Sequence, residues 1–279
     1  MWCFMSVDIS KVLEELAQLP LEESIKLVVK KIVAPDFDKV FDVVNKVLCV
    51  APHPDDCEVG VGGTIASLSR KGKDVYMVIA TDGSLGTSDP NLAPQKLAET
   101  RRQEQEEAAK ILGVKKILWL GYKDGYMPYS KEARAKLITI IRFLKPDLVF
   151  APDPWLPYEA HADHRNTGLV AAEATFFASL PHYVEENTAS GLEPWHVKYI
   201  AFYYTSKPNT FYDITDTIDL KLEALKTHRS QFESNWEYWE ALIKYIAMLY
   251  GKKINVKYAE AFKLLPTALL HAIPFAEII

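Results

Sequence analysis

Apolar residues fall in two rhythms along this chain. Over residues 9–33 they recur at helical spacing among Glu and Lys, and the Leu19-Pro20 step divides the run into two helical segments. From Lys46 onward the rhythm changes. The continuous run Val47-Leu48-Cys49-Val50-Ala51 leads into a Gly-rich turn, a helix over residues 64–71 and a second apolar run from Val75 to Ala80, which reads as a βαβ unit. A long helix over 98–112, a strand at 116–120, a helix over 132–144 and the strand Leu148-Val149-Phe150-Ala151 extend the alternation. Short runs that are apolar throughout belong to strands buried on both faces, so the sheet is parallel and covered by helices on each side.

Beyond Asn166 the pattern predicts another helix, a strand pair near residues 199–205 and 211–214, and helices over 217–228 and 232–250. The expected fold class is α/β: a Rossmann-like three-layer sandwich with a mostly parallel sheet, plus N- and C-terminal helical extensions. One domain spans 1–279, divided into an N-terminal helical cap (1–45), an α/β core (46–215) and a C-terminal helical extension (216–279).

Composition narrows the partners. With 279 residues, 49% of them hydrophobic, the chain can bury one sizeable core. A net charge of −5 lacks the basic footprint that nucleic acid requires. Cys3, Cys49 and Cys57 are too few for a disulfide framework and form no C-x-x-C pair, which points to a reducing cytoplasm. The apolar opening Met1-Trp2-Cys3-Phe4-Met5 is too short and lacks the basic flank of a signal peptide. No window approaches the roughly 20 apolar residues of a membrane span, so a soluble protein without a membrane partner is expected.

Chemistry gathers at two strand ends. The first strand runs into His53-Pro54-Asp55-Asp56-Cys57-Glu58, and the fourth leads through Asp153 to His161-Ala162-Asp163-His164. In an open parallel sheet the ligand crevice lies at the carboxyl ends of the strands, so both clusters belong to one rim. A catalytic zinc commonly takes three protein ligands from His and carboxylate and leaves a fourth position open. His53, one carboxylate and a distant His supply such a set, and the remaining aspartate is then free to act as a base. The competing reading is that these residues cap turns and helices. Gly60-Val61-Gly62-Gly63 imitates a dinucleotide loop, but the spacing is not G-x-G-x-x-G and acidic residues stand where a pyrophosphate would sit. Those glycines instead let a helix pack close to the sheet and the backbone turn sharply.

The residues now on the page resemble the PIG-L/LmbE-like zinc deacetylases: His53-Pro54-Asp55-Asp56, Glu58, Gly60-x-Gly62-Gly63-Thr64, Thr81-Asp82-Gly83, Thr100-Arg101-Arg102, Leu112-Gly113 and His161-x-Asp163-His164. The likeness resumes at Lys221 and ends on His228-x-Ser230-Gln231. Chain length, the N-terminal extension and Asp153-Pro154-Trp155 look most like the archaeal branch acting on diacetylchitobiose. The resemblance implies Zn2+ held by His53, Asp56 and His164, with Asp55 as general base. It further implies that His161 stabilises the oxyanion or protonates the leaving amine, with Asp163 orienting and charging it. Arg101 matches a substrate-contacting arginine, although Arg102 leaves the register open by one residue.

The implied reaction is removal of the N-acetyl group of N-acetylglucosamine or diacetylchitobiose in chitin degradation. Another N-acyl glucosamine conjugate, a glycolipid or a thiol-cofactor precursor, is the alternative. Trp155 and Tyr158 could stack on a sugar or simply fill a rim; Asp82 could position ligands or serve a turn. His271 lies on the apolar tail Leu269-Leu270-His271-Ala272-Ile273, which a monomer would struggle to cover. Relatives of this kind form hexamers, so a homo-oligomer in which His271 reaches an active site is expected.

Overall fold

The computed structural model describes residues 9–16 and 18–279; the apolar opening Met1–Met5 lies outside them. Helices α1 (Ile9–Leu16) and α2 (Leu21–Val28) meet at Pro20, and α2 runs into a wider turn over Val29–Val33 before the short α3 (Val40–Val43). Then β1 (Lys46–Ala51), α4 (Asp56–Arg70), β2 (Asp74–Thr81), α5 (Pro94–Leu112), β3 (Lys116–Tyr122), α6 (Lys131–Leu144), β4 (Leu148–Pro152) and α7 (Ala162–Phe177) alternate along the chain. The remainder comprises α8 (Glu185–Ala189), β5 (Tyr199–Tyr203), β6 (Thr210–Asp213), α9 (Ile218–Thr227), α10 (Arg229–Phe232), α11 (Trp236–Gly251) and β7 (Ala259–Pro266).

The seven strands form one sheet in the order β3-β2-β1-β4-β5-β7-β6. The five from β3 to β5 are parallel; β7 runs antiparallel to both neighbours. Alternate strand residues enter two cores. Cys49, Met77 and Phe150 pack under α4, α5, α9 and α11, whereas Leu48, Val78 and Val149 pack under α6 and α7. This period of two on a sheet buried on both faces is what the uninterrupted apolar runs encode.

Two expectations need correction. The segment 216–279 is not purely helical, because β7 returns from α11 into the sheet. It separates β5 from β6, which therefore do not pair with each other. The strand was hidden by its charges: Glu260 and Lys263 break the apolar run, yet both are buried. Glu260 is bonded to Lys221 at 2.5 Å, and Lys263 donates to the main-chain oxygens of Glu277 and Ile279. The second correction concerns Gly60, Gly62 and Gly63, which lie inside α4 rather than in a turn before it. A Cβ on Gly60 would stand 2.5 Å from the Tyr203 ring, and one on Gly63 would stand 2.8 Å from Ile214. Close packing of α4 against the sheet at Tyr203, against Ile214 and, for Gly62, against Lys221 of the C-terminal part is their role, and sharp turning is not.

Cys49 on β1 and Cys57 in the first turn of α4 are joined by a buried disulfide, a pairing that the cysteine count did not anticipate. Among the described residues no helix is long and apolar enough to cross a membrane.

Candidate metal centre and active site

Strand order reverses between β1 and β4: β2 and β3 lie to one side of that pair and β5 to the other. Such a switch point opens a crevice at the strands' carboxyl ends. The loop after β1 and the loop after β4 enter this crevice together, and α4 and α7 start there.

Three side chains converge. His53 Nδ1 stands 3.3 Å from Asp56 Oδ2, and His164 Nε2 stands 3.5 Å from the same oxygen. Ligand atoms of His53, Asp56 and His164 all lie within 4.8 Å of one another. Two imidazoles and a carboxylate with a rim open to solvent suit a borderline divalent cation such as zinc. The charge balance agrees. Burial works to lower the His53 pKa, but hydrogen bonds to the carboxylates of Asp124, Asp163 and Asp56 outweigh it and raise it to about 11. Burial likewise opposes ionisation of Asp56, yet His164 and His53 hold its carboxyl below the usual range. The carboxylates of Asp56, Asp124 and Asp163 surround the His53 ring.

Asp55 is separate in conformation and in charge. Its φ of 105° lies in the left-handed region, unusual for a residue with a side chain and costing about 1–3 kcal/mol. Its N–H donates to Gln105 Oε1 at 3.0 Å, and Arg101 Nη2 donates to its carboxylate at 3.1 Å. Burial raises its pKa to about 7 against the lowering effect of Arg101, which suits a proton acceptor near neutrality.

Arg101 is only 4% exposed. Besides Asp55 it donates to the main-chain oxygens of Pro54 at 2.6 Å and Gly83 at 3.0 Å, so most of its guanidinium faces inward. Arg102, its rival in register, is exposed and lies over the Trp119 ring.

His161 is exposed at the start of α7, with its ring 4.6 Å from that of His53 and 5.3 Å from that of His164. Its pKa is lowered, first by burial and then by the charges of His53 and His164. Asp163 stands beside His161 and takes its side-chain hydrogen bonds from other groups. Asp163 Oδ2 lies 3.2 Å from His53 Nε2, and its two oxygens accept the N–H groups of Gly125 and Met127. The Asp163 main-chain N–H meets His161 at Nδ1, and ligand atoms of His53, Asp124, His161 and Asp163 form a second group within 4.8 Å of one another, where the Asp163 charge works to raise the His161 pKa against burial.

Trp155 is 61% exposed with its ring edge-on to Phe202, and it lines a groove with Asp153, Lys263, Leu269 and Ile273 rather than the cavity at His164. Tyr158 is wholly exposed. His271 is exposed beside Phe176 on the same tail as that groove and is not part of the His/Asp cluster. Asp82 accepts the N–H groups of Ser84 and Asp124, a turn-forming role.

Several site residues escaped the sequence reading. Asp124 Oδ1 lies 3.2 Å from His53 Nε2, and Glu159 Oε2 lies 3.5 Å from His164 Nδ1. The Tyr204 hydroxyl donates to Asp56 Oδ1 at 3.2 Å. With Leu156, Thr205 and Tyr250, these last two and His164 line an open cavity of about 470 Å³. Asp124 and Tyr204 follow β3 and β5 directly, so the strand-end rule that singled out His53 would have found both.

Fold and site together define an α/β protein with a candidate divalent-metal centre at the switch point of its sheet. The chain belongs to the PIG-L family, a family of deacetylating hydrolases: the family model described as GlcNAc-PI de-N-acetylase matches residues 48–175. It is 47% identical over 240 residues to a diacetylchitobiose deacetylase of Thermococcus kodakarensis, covering 86% of this chain and 90% of that one. It is 30% identical over 201 residues to a probable N-acetyl-alpha-D-glucosaminyl L-malate deacetylase 2 of Bacillus anthracis, covering 67% and 81%. The solved N,N'-diacetylchitobiose deacetylase of Pyrococcus horikoshii, in complex with its inhibitor MPG, superposes with a TM-score of 0.88. That likeness has 48% identity and covers 94% of this chain and 98% of that one.

Proposed function

We propose that this protein is a zinc-dependent deacetylase that releases acetate from the N-acetyl group of diacetylchitobiose, a soluble chitin fragment. The observation that carries the metal half of this reading is the convergence of His53 Nδ1 and His164 Nε2 on Asp56 Oδ2. The likeness to the Thermococcus and Pyrococcus enzymes supports the sugar. The Bacillus relative makes another N-acylglucosamine conjugate the alternative substrate.

His53, Asp56 and His164 would hold the ion, which when bound supplies Lewis acidity, polarising the acetyl carbonyl and acidifying water. Asp55 takes the proton of the attacking water on its carboxylate, kept receptive near neutral pH by burial. Asp163 and Asp124 receive the far N–H of His53 and so orient that ligand. His161 faces the developing oxyanion or hands a proton to the departing amine. Arg101 holds Asp55 and presents what remains of its guanidinium edge to the sugar, while Trp155 would stack on a sugar unit that extends from the His164 cavity past Thr205 into the groove that Trp155 lines.

The same proposal includes a cytoplasmic homo-oligomer, a hexamer, in which His271 of one chain reaches the site of another. The partly exposed Ile273 and Phe275 beside it support that contact. A His271→Ala enzyme with unchanged kinetics would remove His271 from the site. The test of the whole reading is acetate release from diacetylchitobiose and N-acetylglucosamine before and after chelation, with zinc added back. Zinc-restored release is expected, and no release by metal-loaded protein would sink the substrate.

A further inference from the structure

The C-terminal motif His228-x-Ser230-Gln231 has no part in the chemistry above, yet its contacts lead to the base. Ser230 gives its main-chain N–H and its hydroxyl to the two carboxylate oxygens of Glu104, at 2.8 and 2.6 Å. The neighbouring Thr227 hydroxyl donates to the Glu104 carbonyl at 3.2 Å, and Gln231 Nε2 donates to the Gly86 carbonyl at 3.1 Å. Glu104 stands on α5 with Arg101 three residues before it and Gln105 directly after. Positions 101, 104 and 105 share one helix face.

That face grips the catalytic loop. Arg101 holds the Asp55 carboxylate and the Pro54 carbonyl. Gln105 accepts the Asp55 N–H through Oε1 and donates from Nε2 to Glu58 Oε1 at 2.7 Å. The circuit closes at His228, which is fully buried and whose Nε2 stands 3.8 Å from Glu58 Oε2. Among the described residues, neither of these atoms, nor His228 Nδ1, has a hydrogen-bond partner. Buried polar atoms are almost always satisfied, so a pair facing each other without other partners calls for an explanation. Packing α9 and α10 onto α5 would not need an imidazole and a carboxyl here.

We infer that His228 and Ser230 are positioning residues for the base: they brace Glu58 and Glu104, so that Gln105 and Arg101 hold Asp55 in its left-handed conformation. The inference rests on the reading of Asp55 as the general base, and it gives the C-terminal motif a part in the rate rather than in metal or sugar binding.

The test uses zinc-loaded full-length protein with Ser230→Ala, His228→Leu and His228→Gln. Kinetics on diacetylchitobiose are read together with zinc content and hydrogen exchange at the Asp55 amide. A base displaced by a fraction of an ångström to an ångström loses up to about 10²-fold in rate. Ser230→Ala and His228→Leu are therefore expected to lower kcat by about 10-fold or more while KM and zinc content stay unchanged. His228→Gln keeps a polar N–H group facing Glu58 Oε2 across the same gap and should recover most of the rate. The Asp55 amide should exchange faster in the two slow variants while the amides of β1 keep their protection. A wild-type kcat in the folded variants overturns the inference, as does a lowered kcat with the Asp55 amide still protected. If His228→Leu fails to fold, Ser230→Ala and His228→Gln decide. Wild-type protein that releases no acetate would sink the deacetylase reading alone, and the exchange measurement would still decide whether the motif holds Asp55.

Discussion

Asp163 Oδ2 lies 3.2 Å from Nε2 of His53, and the same carboxylate is pinned by the main-chain N–H groups of Gly125 and Met127 at 2.7 and 2.9 Å. Burial works against its ionisation, but the His53 hydrogen bond, followed by those from Met127 and Gly125, holds its pKa below the usual value. A carboxylate so fixed sets the tautomer and ring orientation of the candidate metal ligand. Asp163→Asn should therefore weaken zinc binding by about 10–100-fold, measured by competition with a chelator. Unchanged zinc affinity with a slowed reaction would return Asp163 to service of His161.

His161 stands outside the converging His53–Asp56–His164 set and next to it. If it serves the oxyanion or the leaving amine, His161→Ala should cost about 10²–10³ in kcat while zinc content stays at the wild-type level. Loss of zinc from this variant would make His161 a ligand instead.

Gly60 sits mid-helix against the Tyr203 ring, with room for no side chain. Gly60→Ala ought to raise helix propensity, but forcing a methyl group to 2.5 Å from a ring whose hydroxyl is anchored on Val50 is the larger effect. A net destabilisation of about 1–3 kcal/mol is expected from such overpacking, read as a lower denaturation midpoint. A stability equal to wild type would show that Tyr203 can give way.

Lys263 supplies a pH test away from the metal centre. Burial, then the charge of Lys207, lowers its pKa to about 8 against the raising effect of Asp153. An unfolded lysine keeps its proton to about 10.4. Between these values the unfolded chain binds more protons, so stability attributable to this residue rises with pH across that window. The stability of wild type relative to Lys263→Met should accordingly increase from about pH 8 to about pH 10.5, with a slope of at most about 1.4 kcal/mol per pH unit. A flat difference would mean that Lys263 keeps its charge in the folded protein.

The parallel part of the sheet was legible because its strands are buried on both faces and need no partner to explain their composition. Uninterrupted runs such as Val47–Ala51 and Leu148–Ala151 declare themselves. Strand β7 was not legible, since a charge within it is tolerable only beside a partner that arrives from elsewhere. The partner of Glu260 is Lys221, which stands 39 residues away. The helical start of α4 was masked for a similar reason: glycines weaken a helix locally, and only Tyr203 and Ile214 pressing on them show why they are there.

At the site, the sequence alone determined the residue types and the rim, because histidines and aspartates directly after buried parallel strands must emerge at one edge of the sheet. His53 and the aspartates beside it follow from that rule, and the choice of Asp56 and His164 as its companions is what the family resemblance implies. Which carboxylate faces which nitrogen was decided only in three dimensions. Asp163 bonds His53 while standing within reach of His161, Arg101 is buried against Asp55, and Asp124, Gln105 and Tyr204 arrived from other elements of the fold. The physical reason is that hydrogen bonds are short and directional, so the backbone's path around each strand end, and not the order of residues along it, chooses the partners.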